Sequence, residues 1–159
     1  MLSSETALST REKLLRAKEA APLLARLTTA EKDDILLRIA QALETDAEKI
    51  LQANAADLRN SSLSGAMLER LTLNPERVRS MVQGVRDVVS LPDPIGQLLA
   101  EWTRPNGLQI RKLRVPLGVI GIIYESRPNV TVDTIALALK TGNTIVLRGG
   151  KEAYRSNAC

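Results

Sequence analysis

The sequence predicts an α/β chain: amphipathic helices first, then a β-hairpin, then a strand, a crossover helix and a second parallel strand. Three observations carry this. Apolar residues recur at helical spacing up to about residue 95. The pattern then changes to two extended runs either side of Pro105-Asn106-Gly107. Finally, two short apolar runs, 118–124 and 144–148, are separated by a stretch of helical character ending in Gly142. The chain therefore divides into residues 1–95 (helical), 96–115 (hairpin) and 116–159 (a βαβ unit).

Taken in order, TREKLLRAKEAAPLLARL (10–27) sets Leu and Ala among charges at helical spacing, and Pro22 is expected to bend or divide that helix. Thr28-Thr29-Ala30-Glu31 has capping-box spacing and opens a second helix with Ile35, Leu36, Ile39 and Leu43 on one face. Thr45-Asp46-Ala47-Glu48 repeats the signal before Ile50, Leu51 and Leu58. Asn74-Pro75-Glu76 supplies an N-cap, a first-turn proline and an acid near the positive end of the helix dipole. Val78, Met81, Val82, Val85, Val88 and Val89 follow at three- and four-residue steps, and Leu91-Pro92-Asp93-Pro94 ends that helix.

After the hairpin, strand 118–124 leads to a loop (125–130), a helix (131–141) and strand 144–148, with a further helix starting in 149–157. Gly118 and Gly121 are expected to let a helix pack closely on the sheet, and Pro128 to hold the 125–130 loop extended so that Asn129 projects its amide.

Composition limits the function. The chain has 159 residues, 44% hydrophobic and 25% charged, which is the globular class. Trp102, Tyr124 and Tyr154 are its only aromatic residues, so the core must be aliphatic and there is no stacking platform for single-stranded nucleic acid. One cysteine and no histidine exclude disulfide frameworks and Cys/His metal sites within the chain. No apolar run nears the ~20 residues that span a bilayer, and no secretory leader is seen, so cytoplasm is the expected compartment. Residues 1–95 hold 13 Lys/Arg against 14 Asp/Glu and residues 96–159 hold 9 against 4, which puts the excess positive charge at the βαβ end. That favours a pocket for a phosphate-bearing small molecule over a nucleic-acid stripe.

Ligands of parallel sheets bind beyond the carboxyl ends of the strands. The segments leaving both strands are expected to bring Ser126, Arg127, Asn129, Arg148 and Lys151 to one contiguous surface. It is neither a P-loop nor a GxGxxG site: Ile145 stands where the first P-loop glycine belongs, Glu152 follows Lys151, and Gly118 and Gly121 are spaced GxxG within a strand.

LRVPLGVIGIIYESRPNVTVD and LKTGNTIVLRGGKEAYRSNA closely resemble the gamma-glutamyl phosphate reductase family of the aldehyde dehydrogenase superfamily. The likeness is strongest over 113–158, and KILQANAADL and GAMLERLTLNPERV extend it through the helices. It implies an aldehyde-dehydrogenase-like fold, with the first βαβ unit of a Rossmann-like NADP-binding domain. The implied enzyme belongs to proline biosynthesis and reduces L-glutamyl 5-phosphate with NADPH, giving glutamate 5-semialdehyde and phosphate. Asn129 aligns with the oxyanion donor. Arg148 takes the place of a ribose-binding lysine, while Lys151 and Glu152 follow Gly149-Gly150 where the superfamily has a proline-containing turn; the positive pair fits a 2′-phosphate. Ser126 and Arg127 are the substrate-side residues, and no metal is implied. A homo-oligomer formed through the hairpin and a functional link to glutamate 5-kinase complete the expected partners. Relatives are much longer, and the cysteine nucleophile and most of the substrate pocket belong to the part beyond these residues. Cys159 stands where the family has a small packing residue. The 159 residues alone are therefore expected to be helical, loosely packed and inactive. Two readings from other classes compete with this one: a non-catalytic nucleotide-binding module and a helical interaction module.

Overall fold

The computed structural model describes residues 8–159. Helices α1 (Thr10–Leu24), α2 (Thr29–Thr45), α3 (Ala47–Arg59), α4 (Gly65–Leu71) and α5 (Pro75–Ser90) precede strands β1 (Leu98–Thr103) and β2 (Gln109–Leu113). Strand β3 (Val119–Ile123), helix α6 (Pro128–Lys140) and strand β4 (Thr144–Arg148) form the βαβ unit, and a 3-10 turn (Lys151–Ala153) leads into α7 (Tyr154–Ala158). β3 and β4 pair in parallel, Val119 opposite Thr144 through Ile123 opposite Arg148.

The caps explain most helix starts. Ser9 and Thr28 each form a complete capping box, with Glu12 and Glu31, and the Asn74 side chain accepts from the Arg77 amide at 2.7 Å. Thr45-Asp46 differs from expectation. Asp46 ends α2 and begins α3 with φ −96° and ψ 13°, and its carboxylate takes Lys49 at 2.6 Å instead of a backbone amide, because this single residue separates the helices and no extended cap residue fits between them. α1 passes through Pro22 undivided and stops two residues later. α4 carries no cap hydrogen bond and no strong sequence signal.

An aliphatic core joins three helices: Leu36 and Ala40 of α2, Val82, Val85 and Val88 of α5, and Ala136 and Leu139 of α6. Ile50, Leu73, Val78 and Met81 form a second cluster beneath α3. Two lysines are buried with these helices. Lys32 (2% exposed) pairs with Asp93, and Lys140 (3% exposed) reaches Asp33 Oδ1 at 2.6 Å and the Val89 carbonyl at 2.8 Å. Burial pushes the Asp93 carboxyl up, but Lys32, the Ile95 amide and the Thr29 hydroxyl outweigh it and hold the group below the usual carboxylate range.

α6 ends in a Schellman motif: Gly142 has φ +66°, its amide bonds to Leu139 O, and the Asn143 amide bonds to Ala138 O. The hairpin turn is not the two-residue Asn-Gly type. Pro105 and Asn106 occupy the corner, the Gly107 amide returns to Arg104 O at 2.9 Å, and Gly107 alone takes positive φ (+82°), as in a type I turn followed by a glycine bulge. Neither strand glycine packs against a helix: a Cβ at Gly118 or Gly121 would meet nothing within 4 Å. Gly118 instead supplies φ +108° where the chain enters β3.

Candidate active site at the ends of the parallel strands

The expected loop after β3 is shorter than the sequence suggests. Proline restricts the residue before it, so Arg127 is extended (φ −127°, ψ 96°), while Pro128 itself is compatible with a first helical turn and starts α6. Asn129 therefore sits in the first turn of a helix, not in an extended loop.

Next to it, the chain leaving β4 is pressed against the chain leaving β3. A Cβ at Gly149 would stand 2.5 Å from Asn157 Nδ2 and 3.1 Å from the Tyr124 ring, and one at Gly150 would stand 2.1 Å from Ser126 Oγ. A side chain at either glycine would have to displace Ser126, Tyr124 or Asn157, which accounts for the glycine pair. Ser126 Oγ, buried, donates to Glu152 at 2.8 Å and holds the Glu152 carboxyl below its usual range. Tyr124 OH lies 2.5 Å from Thr131 Oγ1, which donates to Asn157 Oδ1 at 2.9 Å, so β3, α6 and α7 are linked as well.

Around this seam the expected residues separate. Arg127 and Asn129 line a cavity of about 430 Å³ together with Arg70, Arg77 and Asp133. Lys151 and Glu152 line a second, of about 620 Å³, with Asp57 and Arg155. Arg148 is exposed at the end of β4, where its carbonyl accepts from the Tyr124 amide at 3.1 Å, and it lines neither cavity. Ser126 lines neither. The single contiguous surface expected from the sequence is thus two cavities, and Ser126, bonded to Glu152, lines neither.

In the first cavity, Arg77 is committed to structure: its guanidinium donates to the Thr72 carbonyl at 2.6 Å and to that of Glu69. Arg127 Nε is buried without a hydrogen-bond partner, and Glu125 Oε2 stands 3.6 Å from it and 3.2 Å from Arg70 Nη1. Burial raises the Asp133 carboxyl above its ordinary value, and the Asn129 amide draws it partly back.

Two buried groups of α3 that helical periodicity does not single out hold both cavities. Asn54 donates to Leu71 O at 2.9 Å and to Ser156 Oγ at 3.1 Å, and accepts from the Leu73 amide at 2.8 Å. Asp57 accepts from the amides of Arg155 (3.2 Å) and Ser156 (2.8 Å) and from Ser156 Oγ (2.7 Å). Their partners lie far along the chain, so periodicity could not reveal them. Cys159 is exposed and lines neither cavity.

The sequence model of the aldehyde dehydrogenase family matches residues 3–157. A gamma-glutamyl phosphate reductase of Koribacter versatilis is 58% identical over 152 residues, covering 96% of this chain and 37% of its own length. One from Moorella thermoacetica is 56% identical, with coverage of 95% and 37%. The crystal structure of gamma-glutamyl phosphate reductase from Thermotoga maritima superposes with a TM-score of 0.89 at 44% identity, covering 93% of this chain and 36% of that one. This chain thus spans a little over a third of the length of the curated relatives it matches. With helices, hairpin and βαβ unit all inside the matched region, the chain belongs to the aldehyde dehydrogenase family.

Proposed function

We propose that this chain forms part of a gamma-glutamyl phosphate reductase of proline biosynthesis, which reduces L-glutamyl 5-phosphate to glutamate 5-semialdehyde and releases phosphate. The observation that carries the reading is the 58% identity, across nearly the whole chain, to a relative of that name.

Members of the family depend on a nicotinamide dinucleotide, and the residues beyond β4 fit one. Arg148 and Lys151 are exposed cations at the carboxyl end of a parallel pair, the chemistry needed to meet a nucleotide phosphate, and they favour NADPH. When bound, that cofactor supplies the hydride that takes the acyl group to the aldehyde. A thiolate must displace phosphate from the acyl carbon first. Cys159 lines neither cavity, and the family resemblance assigns the nucleophile to residues beyond these.

This chain's contribution is electrostatic. As the acyl carbon becomes tetrahedral its oxygen gains charge, and the Asn129 amide, in the first turn of α6 where the helix dipole is positive, is the donor for it. Arg127 faces the substrate from the same cavity. Ser126 acts by fixing Glu152 and the seam. Tested in the reductase that carries this chain, Asn129→Ala should lower kcat by ~100-fold with cofactor affinity nearly unchanged. Normal turnover would remove Asn129 from the chemistry.

A further inference from the structure

The cavity beside Asn129 offers charges that the reacting acyl phosphate does not account for. Arg77 is occupied by the carbonyls of Glu69 and Thr72. Arg70 and Arg127 have no comparable commitment: they meet only at one oxygen of Glu125, 3.2 Å from Arg70 Nη1 and 3.6 Å from Arg127 Nε. That Nε is buried with no hydrogen-bond partner, a costly arrangement unless an acceptor arrives. Two guanidiniums converging on one carboxylate oxygen already form the geometry of a carboxylate site, with Glu125 holding the place of the incoming anion. Asp133 lines the same cavity. A phosphate dianion would face that acid unfavourably, whereas an α-amino acid head carries a carboxylate for the arginines and an ammonium for the aspartate.

We infer that this cavity receives the α-amino acid head of the substrate, with Arg70 and Arg127 binding its α-carboxylate in place of Glu125 and Asp133 binding its α-ammonium. The inference rests on the reductase reading above and adds Arg70, Glu125 and Asp133 to the residues that select the substrate. Arg70 and Glu125 lie 55 residues apart in sequence and are joined only by the fold.

The reverse reaction tests it, because it puts the two anions on separate molecules: the semialdehyde keeps the amino acid head, and free phosphate is the other reactant. In the reductase that carries this chain, Arg70→Met should raise the KM for glutamate 5-semialdehyde by about tenfold and leave the KM for phosphate within about twofold, with Arg70→Lys intermediate. Glu125→Gln should act in the opposite direction and lower the semialdehyde KM by about threefold, since it removes the internal competitor; general damage to the fold would not do this. Asp133→Asn should raise the semialdehyde KM and narrow the preference for a free over an N-acylated amino group. If Arg70→Met raised the phosphate KM instead, the arginines would hold the phosphate and the inference would fall. Turnover with no KM change in any of these variants would overturn it while leaving the reductase reading intact. Titration with L-glutamate, which carries the same head, needs no turnover: binding to the unaltered protein that Arg70→Met weakens supports the site even if no reductase activity is found. Equal binding to both would sink it.

Discussion

The molecule holds two strand pairs of similar length, and they are built for different ends. β1 and β2 pair antiparallel, and all six β1 residues are exposed, Trp102 and Leu98 among them. β3 and β4 are shielded on one side by α1 and α6: Thr144 Oγ1 bonds to Ala17 O at 3.0 Å, and Asn143 anchors the Gly118 amide at 2.9 Å. The hairpin is held by its own ladder and by a tight glycine turn. The parallel pair is held by residues from every part of the chain, and only its carboxyl end carries the candidate chemistry. Loops can position reacting groups only when they leave a rigid support, so the site belongs where the long-range ties converge.

That contrast can be broken first at Lys140, which ties α6 to α2 and α5. Lys140→Ala should cost about 3 kcal/mol in urea unfolding, since it removes the buried cation facing Asp33 and the Val89 carbonyl. A cost under about 0.5 kcal/mol, the range of ordinary surface changes, would mean the βαβ unit is not anchored this way. Gly150→Ala should cost about 2 kcal/mol, because the new methyl group collides with Ser126 Oγ and the seam must open. Its second signature is weaker nucleotide binding; unchanged binding would separate the seam from the cofactor side.

Acid should act next. Asp93 is depressed in the folded chain, so its contribution is complete above the ordinary carboxylate value near 4 and is lost as pH falls through the lower folded value. The urea midpoint should therefore fall on acidification below about pH 4, and Lys32→Met should flatten that dependence. The smallest effects belong to the hairpin. Leu98→Ser combined with Trp102→Thr should change stability by no more than about 0.5 kcal/mol. Gly107→Ala should speed amide exchange in β1 and β2 while exchange in α5 stays unchanged. A global loss from either would show that the hairpin supports the rest.

Sequence patterns reached whatever is local. The capping box at Thr28, the N-cap at Asn74, the valine stripe of α5, β4 and the Gly142 terminus all depend on neighbours within one or two turns, and all are where the local sequence pattern puts them. Pro128 was legible as a break but not as a helix start, because the same residue extends its predecessor and suits its own helix. Lys32 and Lys140 look like solvent-facing charges until Asp93 and Asp33 are brought to them. Within the candidate site, Arg127 and Asn129 could be read from their place after an apolar strand. Arg70 and Asp133 could not, since the cavity that unites them has walls from α4 and α6.

Asp57 sets a timetable for biosynthesis. Its amide and hydroxyl partner, Ser156, is 99 residues further on, so the carboxylate emerges from the ribosome long before anything can satisfy it. At typical synthesis rates that interval is on the order of 10 s. The preceding helices can assemble on their own caps and apolar faces in that time, but α3 must keep this carboxylate solvated while it waits. Docking of the turn that bears Lys151 and Glu152 must therefore follow the helices, and a pause in synthesis just before Ser156 would leave a largely formed helical layer whose βαβ end is still open.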